Sequence, residues 1–389
     1  MLGNIETLHA IHTRCAEGLP LTPDLRSWLA NSLDRYLGHT CDNLNEAFGV
    51  IQGHGGVPWW RERAIRERDT ALRALSRRHY GEPFVVASDI RMGAASREPN
   101  EIASQGKKAP FEHVDCTQPH QLHEAVRRHD IGTIYHLAAL LSAVAEEKPQ
   151  IAWSVNIGSL YNVLEVARQY SCAVFFPSSI GAFGPSTPRD ETPQETMQRP
   201  TTMYGVTKVA GELLCDYYAL RFGVDTRGLR LPGLISYVSP PGGGTTDYAI
   251  DIFRQAIKYK HYTCFLRPDT RLEMMYMPDA IRAMIELMSA DAARLTYRNA
   301  FNVSAMSLTP AELAAAIAKR IPGFVMDYEV DPLRQAIADS WPSSLDDSVA
   351  RAEWDWKPHY DLDAMCDDMI DKLGSNVRPA RGPSINGTG

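Results

Sequence analysis

No stretch of about 18 consecutive apolar residues occurs in this chain, and no short apolar segment follows a basic start at the N-terminus. Neither a membrane-spanning helix nor a secretory signal is expected, and the expected setting is cytoplasmic. Cysteine is sparse and scattered: Cys15, Cys41, Cys116, Cys172, Cys215, Cys264 and Cys366, with no CxxC pair. An odd set of separated thiols argues against a disulfide framework and against a zinc site, and reads as reduced, mostly buried side chains. Basic charge is not in excess either. The net charge of -7 argues against nucleic acid as a partner. No internal repeat is visible. What remains is an ordinary globular composition, 44% apolar and 22% charged over 389 residues, long enough for two or three domains and a large core.

Residues 1–80 read as helical. Thr22 and Pro23 form a helix start, Leu25, Trp28, Leu29, Leu33 and Tyr36 share one apolar stripe, and Gly38 ends it. A glycine-rich loop, GVIQGHGGVP, leads to WWRERAIRERDTALRALSRRHYG, a solvated amphipathic helix of both charge signs. From Phe84 the pattern becomes strand, helix, strand. FVVASDI ends in Asp89, HVDC reaches Asp115, TIYHLAA follows, a helix covers about 151–169, and AVFFPSS and VDTRGLRLPG are further strands. This alternation predicts an α/β fold with a doubly wound parallel sheet over 81–235. A smaller substrate-binding part follows over 236–374, and 375–389 reads as a disordered Pro/Gly/Ser-rich tail.

Tyr204 and Lys208 stand four residues apart in TTMYGVTKVAGELL, and Ser179 lies upstream in VFFPSSIGAFG. Helical spacing puts the phenol and the ammonium on one face, and the lysine charge there favours the phenolate. Such a positioned base is worth roughly 10²–10⁴ in rate. The apolar run 173–176 delivers Ser179 at a strand's carboxyl end, where ligands bind in open parallel sheets. A lone YxxxK is common on exposed helices; the strand-end serine is what lifts this one. Asp89, also at a strand end, can accept both hydroxyls of an adenosine ribose and would repel a 2′-phosphate, which favours NAD over NADP. Asp115 is placed to lie near the adenine. Leu137, Ala138 and Ala139 end a strand where small residues let a dinucleotide approach. Ser142 either touches substrate or caps a helix. Asn156 sits where a helix interior disfavours a polar side chain, so it is expected to bond backbone or water within a proton-relay path.

Over about residues 72–374 the chain resembles the short-chain-type L-threonine 3-dehydrogenases, relatives of the UDP-galactose 4-epimerases. The stretches that carry the resemblance include YHLAALLSAVAE, FFPSSIGAFGP, YGVTKVAGELLCDYY, PGGGTTDYA, EMMYMPDA and RQAIADSWP. The resemblance implies a Rossmann-like fold, NAD as cofactor, L-threonine as substrate and a homodimer built through helices of the nucleotide domain. By the same resemblance Tyr204 is the general base, Ser179 bonds the reacting oxygen, and Lys208 supports the phenol and the nicotinamide ribose. Leu231, Pro232 and Gly233 meet the nicotinamide amide. Gly244 and Thr245 hold the amino-acid head group, and Trp341 borders the cleft or packs in the core. Glu273 stands where the family usually has proline, and is expected to be tolerated at the surface.

The family opens with a strand and a GxxGxxG turn that seats the pyrophosphate on a helix N-terminus. In register those glycines would be Glu62, Ile65 and Arg68. A substitute strand over Phe48–Gln52 with a Gly53–Gly56 loop stays as an alternative, against which stand the long separation of Gly53 from Asp89, where the motif expects the acid roughly 20 residues on, and Pro58 at the motif's sixth position. The expected account is a helical N-terminal segment that replaces the first strand and its loop. Two other functions stay open: a nucleotide-sugar epimerase or dehydratase sharing the same three residues, and a catalytically defective Rossmann-like fusion.

Overall fold

The computed structural model describes residues 86–89, 111–238, 241 and 244–375. The readings made above for residues 1–80, including the substitute loop at Gly53, lie outside the described residues, as does the tail beyond Ser375. Strand β1 (Ala87–Asp89) pairs in parallel with β2 (Phe111–His113), Asp89 opposite His113. Helix α1 (Pro119–His129) follows, opened by proline in its first turn and closed by Asp130 in the left-handed region (φ 50°). Arg127, Arg128 and His129 in its last turn complement the helix dipole. Next come β3 (Thr133–Tyr135), α2 (Ser142–Glu147) and α3 (Pro149–Trp153). A π-helical turn, Ser154–Gly158, then leads into α4 (Ser159–Tyr170).

Strand β4 (Ala173–Ser179) runs into a 3₁₀ turn, Ile180–Ala182, and helix α5 (Met203–Phe222) returns to β5 (Thr226–Leu231). The Thr202 hydroxyl caps α5 by accepting from Gly205 N–H, and Gly223 (φ 69°) supplies the left-handed residue that ends it. The remaining elements are β6 (Gly233–Ile235), α6 (Tyr248–Tyr259), β7 (His261–Cys264), β8 (Leu272–Tyr276) and α7 (Met277–Ser289). Then follow β9 (Phe301–Asn302), β10 (Met306–Leu308), α8 (Pro310–Ala318), β11 (Val325–Tyr328), α9 (Pro332–Asp339), α10 (Ser348–Trp354) and α11 (Leu362–Ser375).

Strands β3, β4, β5 and β9 form a four-stranded parallel sheet in the order β3-β4-β5-β9. Alternation along β4 explains why both faces are covered. Phe175 packs into a core with α7 and α10, while Val174 and Phe176 pack with α1, α4 and α5 on the other face. All six residues of β5 are buried, as a central parallel strand requires. A third core gathers α6, β7, β8, α8 and α11, and organises the C-terminal part. The predicted Rossmann-like parallel architecture is therefore present.

Among the described residues no strand bonds β3 on the side away from β4, or joins the β1–β2 pair to it. In an open sheet of this winding the intervening strand is the first of the unit. The β1–β2 pair is tied to the rest through helices instead. Leu122 and Val126 of α1 pack with Leu160, Val163 and Leu164 of α4, and Asn162 Nδ2 donates to Cys116 O at 3.0 Å.

The surface position expected for Glu273 is corrected: its exposure is 0%. Alternation in β8 was broken because the strand is covered on both faces, every residue from Leu272 to Tyr276 being buried. Glu273 Oε1 accepts from Ser304 Oγ (2.8 Å) and Ala305 N (2.9 Å), while Oε2 has no protein partner. Burial pushes the carboxyl up to about 7, opposed by those hydrogen bonds and aided by the nearby Asp347. A carboxyl whose folded pKa is raised binds its proton more tightly when folded. Its contribution is therefore fully present below the unfolded value of 4.5 and is lost as pH rises through about 7. Glu273→Gln should flatten that slope and make the protein more stable at pH about 8, by on the order of 3 kcal/mol at most. Denaturant unfolding across this pH range checks it; parallel stability curves for the two proteins would contradict it.

Candidate active site

Helix α5 lies across the carboxyl end of β4, and glycine makes the approach possible. A Cβ on Gly205 would stand 2.2 Å from Gly181 O, and one on Gly211 would stand 2.3 Å from the Phe176 ring. Gly181, in the turn after Ser179, leaves room for both reactive side chains. A Cβ there would lie 3.2 Å from two Tyr204 ring carbons and 3.5 Å from Ser179 Oγ. Tyr204 and Ser179, both half-buried, thus both border the space that a Gly181 side chain would fill. Ser179 Oγ accepts from Gly181 N at 3.1 Å, which leaves its own proton free to donate outward.

Lys208 is 4% exposed. Its Nζ donates to Pro177 O at 2.6 Å and lies 5.3 Å from the Tyr204 ring centroid and 5.0 Å from that of Phe176. His136, buried at the end of β3, has its imidazole pushed down to about 4, first by burial and then by the Lys208 charge. It therefore stays neutral beside the lysine near neutral pH. Its Nε2 lies 3.0 Å from the hydroxyl of Ser159, which itself donates to Val155 O.

The predicted cofactor residues share the carboxyl side of the strands. Leu231 is the register partner of Ser179, so Leu231, Pro232 and Gly233 run alongside it. Leu137, Ala138 and Ala139 continue beyond β3, whose last residue, Tyr135, pairs with Phe175. The turn carrying Gly244 and Thr245 reaches the same place: a Cβ on Gly233 would stand 2.7 Å from Thr246 Cγ2 and 2.5 Å from Met274 Sδ. Gly244 N donates to Asp247 Oδ2 at 2.8 Å, and Thr245 is 4% exposed. Asp89 closes β1, and its side chain lies outside the described residues.

Some predicted residues take local roles. Asp115 Oδ1 accepts from both N–H and hydroxyl of Thr117 (2.9 and 2.7 Å), a turn that leads into α1. Ser142 is the first residue of α2, whose N-cap is Leu141. Trp341 is buried in the C-terminal core, which favours the packing alternative. Asn156 lies in the π turn and is fully engaged. Its Oδ1 accepts from Leu140 N (2.7 Å), and its Nδ2 donates to Leu140 O (3.2 Å) and to Thr207 Oγ1 (3.0 Å). Thr207 Oγ1 in turn donates to Tyr204 O at 2.8 Å. Asn156 thereby clamps the loop after β3 to the tyrosine's helix; π turns concentrate at such functional places. Sequence reading missed Gly181, Pro177, Thr207 and His136. Only the short SSIGAFG run, with its glycine two residues after the second serine, signalled any of them.

A serine at the end of β4 and a tyrosine and a lysine on α5 thus gather beside the segment that follows β5, an arrangement of hydroxyls and ammonium that can handle a proton. The chain's sequence agrees: residues 62–304 match the NAD dependent epimerase/dehydratase family. The chain belongs to that family. An uncharacterized epimerase/dehydratase of Staphylococcus saprophyticus is 53% identical over 310 residues, covering 80% of this chain and 95% of that protein. The X-ray structure of L-threonine dehydrogenase from Clostridium difficile superposes with a TM-score of 0.76 at 52% identity, covering 80% of this chain and 96% of that one. A GalE-like L-threonine dehydrogenase from Cupriavidus necator, in its holo form, gives 0.74 at 50% identity over 78% and 96%. The family match begins upstream of the start expected at residue 72, yet still excludes Gly53, Gly55 and Gly56. Among the described residues no helix is long and apolar enough to cross a membrane.

Asn156→Ala removes three hydrogen bonds and leaves Leu140 N and O without their partner, which should cost about 1–3 kcal/mol. Asn156→Asp should cost more above the carboxylate pKa, because it turns an acceptor toward Leu140 O. Equilibrium denaturation of both variants checks the order; an alanine variant as stable as the parent would refute the clamp.

Proposed function

We propose that this chain oxidises the 3-hydroxyl of L-threonine, with NAD as acceptor, to 2-amino-3-oxobutanoate. The observation that carries this reading is the convergence of Tyr204 and Ser179 on the space over Gly181, with Lys208 beneath the phenol ring and the Gly244–Thr245 turn against Gly233. About 50% identity to structures described as L-threonine dehydrogenases supports the choice of substrate.

In this reading the Tyr204 phenol oxygen takes the proton of the substrate's 3-hydroxyl. The Ser179 hydroxyl, already accepting from Gly181 N–H, donates to the same oxygen and steadies it as charge develops. The Lys208 ammonium spends one proton on Pro177 O, which fixes its height under the phenol ring. Its remaining protons can reach a ribose hydroxyl, and its charge stabilises negative charge on the phenol. Thr245 and the backbone beside Gly244 supply donors for the amino-acid head group.

The residues present fit the nicotinamide end of NAD. The strand ends carry Ala138, Ala139 and Gly233, and the Lys208 charge stands beneath the tyrosine. NAD, when bound, supplies the acceptor for the hydride from the substrate's β-carbon. Leu231, Pro232 and Gly233 would face its amide, and Asp89 and Asp115 would serve the adenosine end. No residue is assigned to the pyrophosphate, because Glu62, Ile65 and Arg68 lie outside the described residues.

The proposed partner is a second copy of the chain. Helices α4 and α5 present Tyr161, Leu213, Tyr217 and Leu220 to solvent, the last 90% exposed, around a groove of about 650 Å³ that Trp153 and Tyr161 help to line. An apolar face of this kind, contributed by two adjacent helices, suits a two-fold contact that repeats the same patch on both partners.

The catalytic reading is tested by calorimetric titration with NAD and by NADH formation from L-threonine, with a UDP-sugar as the competing substrate. Binding of NAD and threonine-dependent NADH formation, abolished in Tyr204→Phe, are expected. No NAD binding even at millimolar concentration would sink the dehydrogenase, and turnover of the UDP-sugar alone would assign the epimerase reaction. For the assembly, light scattering should give a dimer that Leu213→Arg with Leu220→Arg converts to monomer; a parent that is already monomeric overturns it.

A further inference from the structure

Tyr204 and Lys208 are followed one turn later on the same helical face by Glu212. Glu212 is 3% exposed. Its Oε1 accepts from the Ser178 hydroxyl and from Arg230 Nε (3.1 Å). Its Oε2 accepts from an Arg230 terminal nitrogen (2.9 Å) and from Gln198 Nε2 (2.8 Å). Arg230 is also buried, and its other nitrogen donates to Gln194 O (2.8 Å) and Asn302 Oδ1 (3.2 Å). Ser178 and Arg230 are register partners on β4 and β5, directly before the partners Ser179 and Leu231.

A single carboxylate thus joins α5 to the last ladder rung below the site and to the loop through Gln194 and Gln198. Three consecutive β4 residues meet three turns of α5: Ser179 lies by Tyr204, Pro177 O binds Lys208, and the Ser178 hydroxyl binds Glu212. A helix held at one such point can still slide or roll. Held at Lys208 and Glu212 it can do neither, because the two contacts lie on the same stripe, about 6 Å apart along the axis. Arg230 supplies the opposite charge that a buried carboxylate needs.

We propose that Glu212 is a positioning residue for Tyr204: with Ser178 and Arg230 it sets the height and roll of α5, and so the separation between the phenol and the Ser179 hydroxyl. The proposal rests on the dehydrogenase reading above. A misplacement of about 1 Å can cost on the order of 10²-fold in rate. Glu212→Gln, which keeps the shape but weakens the hold of Arg230, and Ser178→Ala, which cuts only the link to β4, should each lower kcat for threonine oxidation roughly 10–100-fold. KM should change little.

The readout that separates positioning from mere loss of folded protein is the isotope effect with L-threonine deuterated at the β-carbon. It should rise in both variants as the chemical step becomes limiting. A smaller active fraction lowers both isotopologues alike and leaves their ratio unchanged. An unchanged ratio in Ser178→Ala, or an unchanged kcat in both variants, overturns the proposal while leaving the dehydrogenase intact. Absence of threonine turnover in the parent enzyme overturns both, and is seen before any variant is made.

Discussion

Everything at the site depends on how α5 is seated on the carboxyl end of β4. The contact is close because glycine occupies Gly205 and Gly211, where any side chain would collide with backbone or with Phe176. It is directional because Lys208 donates to Pro177 O and Glu212 accepts from Ser178. Other elements take their places from this seat. The Asn156 side chain ties the loop after β3 to Thr207, on the same helix. The register of β4 with β5 sets Leu231 beside Ser179, and the Gly244–Asp247 turn rests on Gly233 one residue past Pro232.

The interior that supports this seat is unusually polar for a sheet core, and the cost is offset group by group. Arg227 is held by Asp225 and by the carbonyls of Leu287 and Ala290 at the end of α7. Arg230 has Glu212, and Asn302 and Gln194 complete its surroundings. Buried charges that are paired and fully hydrogen-bonded hold geometry more than they add stability. Glu273 departs from that pattern, since one of its oxygens has no protein partner and burial favours the neutral acid. It lies on β8, one residue before Met274, the register partner of Gly233.

Much of this was legible in the residues. Alternating apolar runs and amphipathic stretches placed β4, α5 and β5, and the strand-end position of Ser179 followed from PSS closing an apolar run. YxxxK spacing put Tyr204 and Lys208 on one face, as any helix must. Other features were not legible. Glu273 reads as a surface residue by polarity, yet β8 is covered on both faces by segments distant in sequence. Asn156 reads as a helix interior, but a π turn shifts its side chain toward Leu140 and Thr207. Asp115 also accepts from Thr117 in the turn into α1, a local bond that strand-end position alone does not show.

By itself the sequence determined which groups can accept, donate or carry charge, and the helical and strand periods that put neighbouring ones on a common face, because those depend on covalent spacing. Tertiary structure alone decided that Tyr204 and Ser179 converge over Gly181, that Ser178 and Arg230 share one carboxylate, and that Glu273 loses its water. Those outcomes depend on segments tens of residues apart meeting at van der Waals distance, where one missing Cβ or one register step changes which atoms touch.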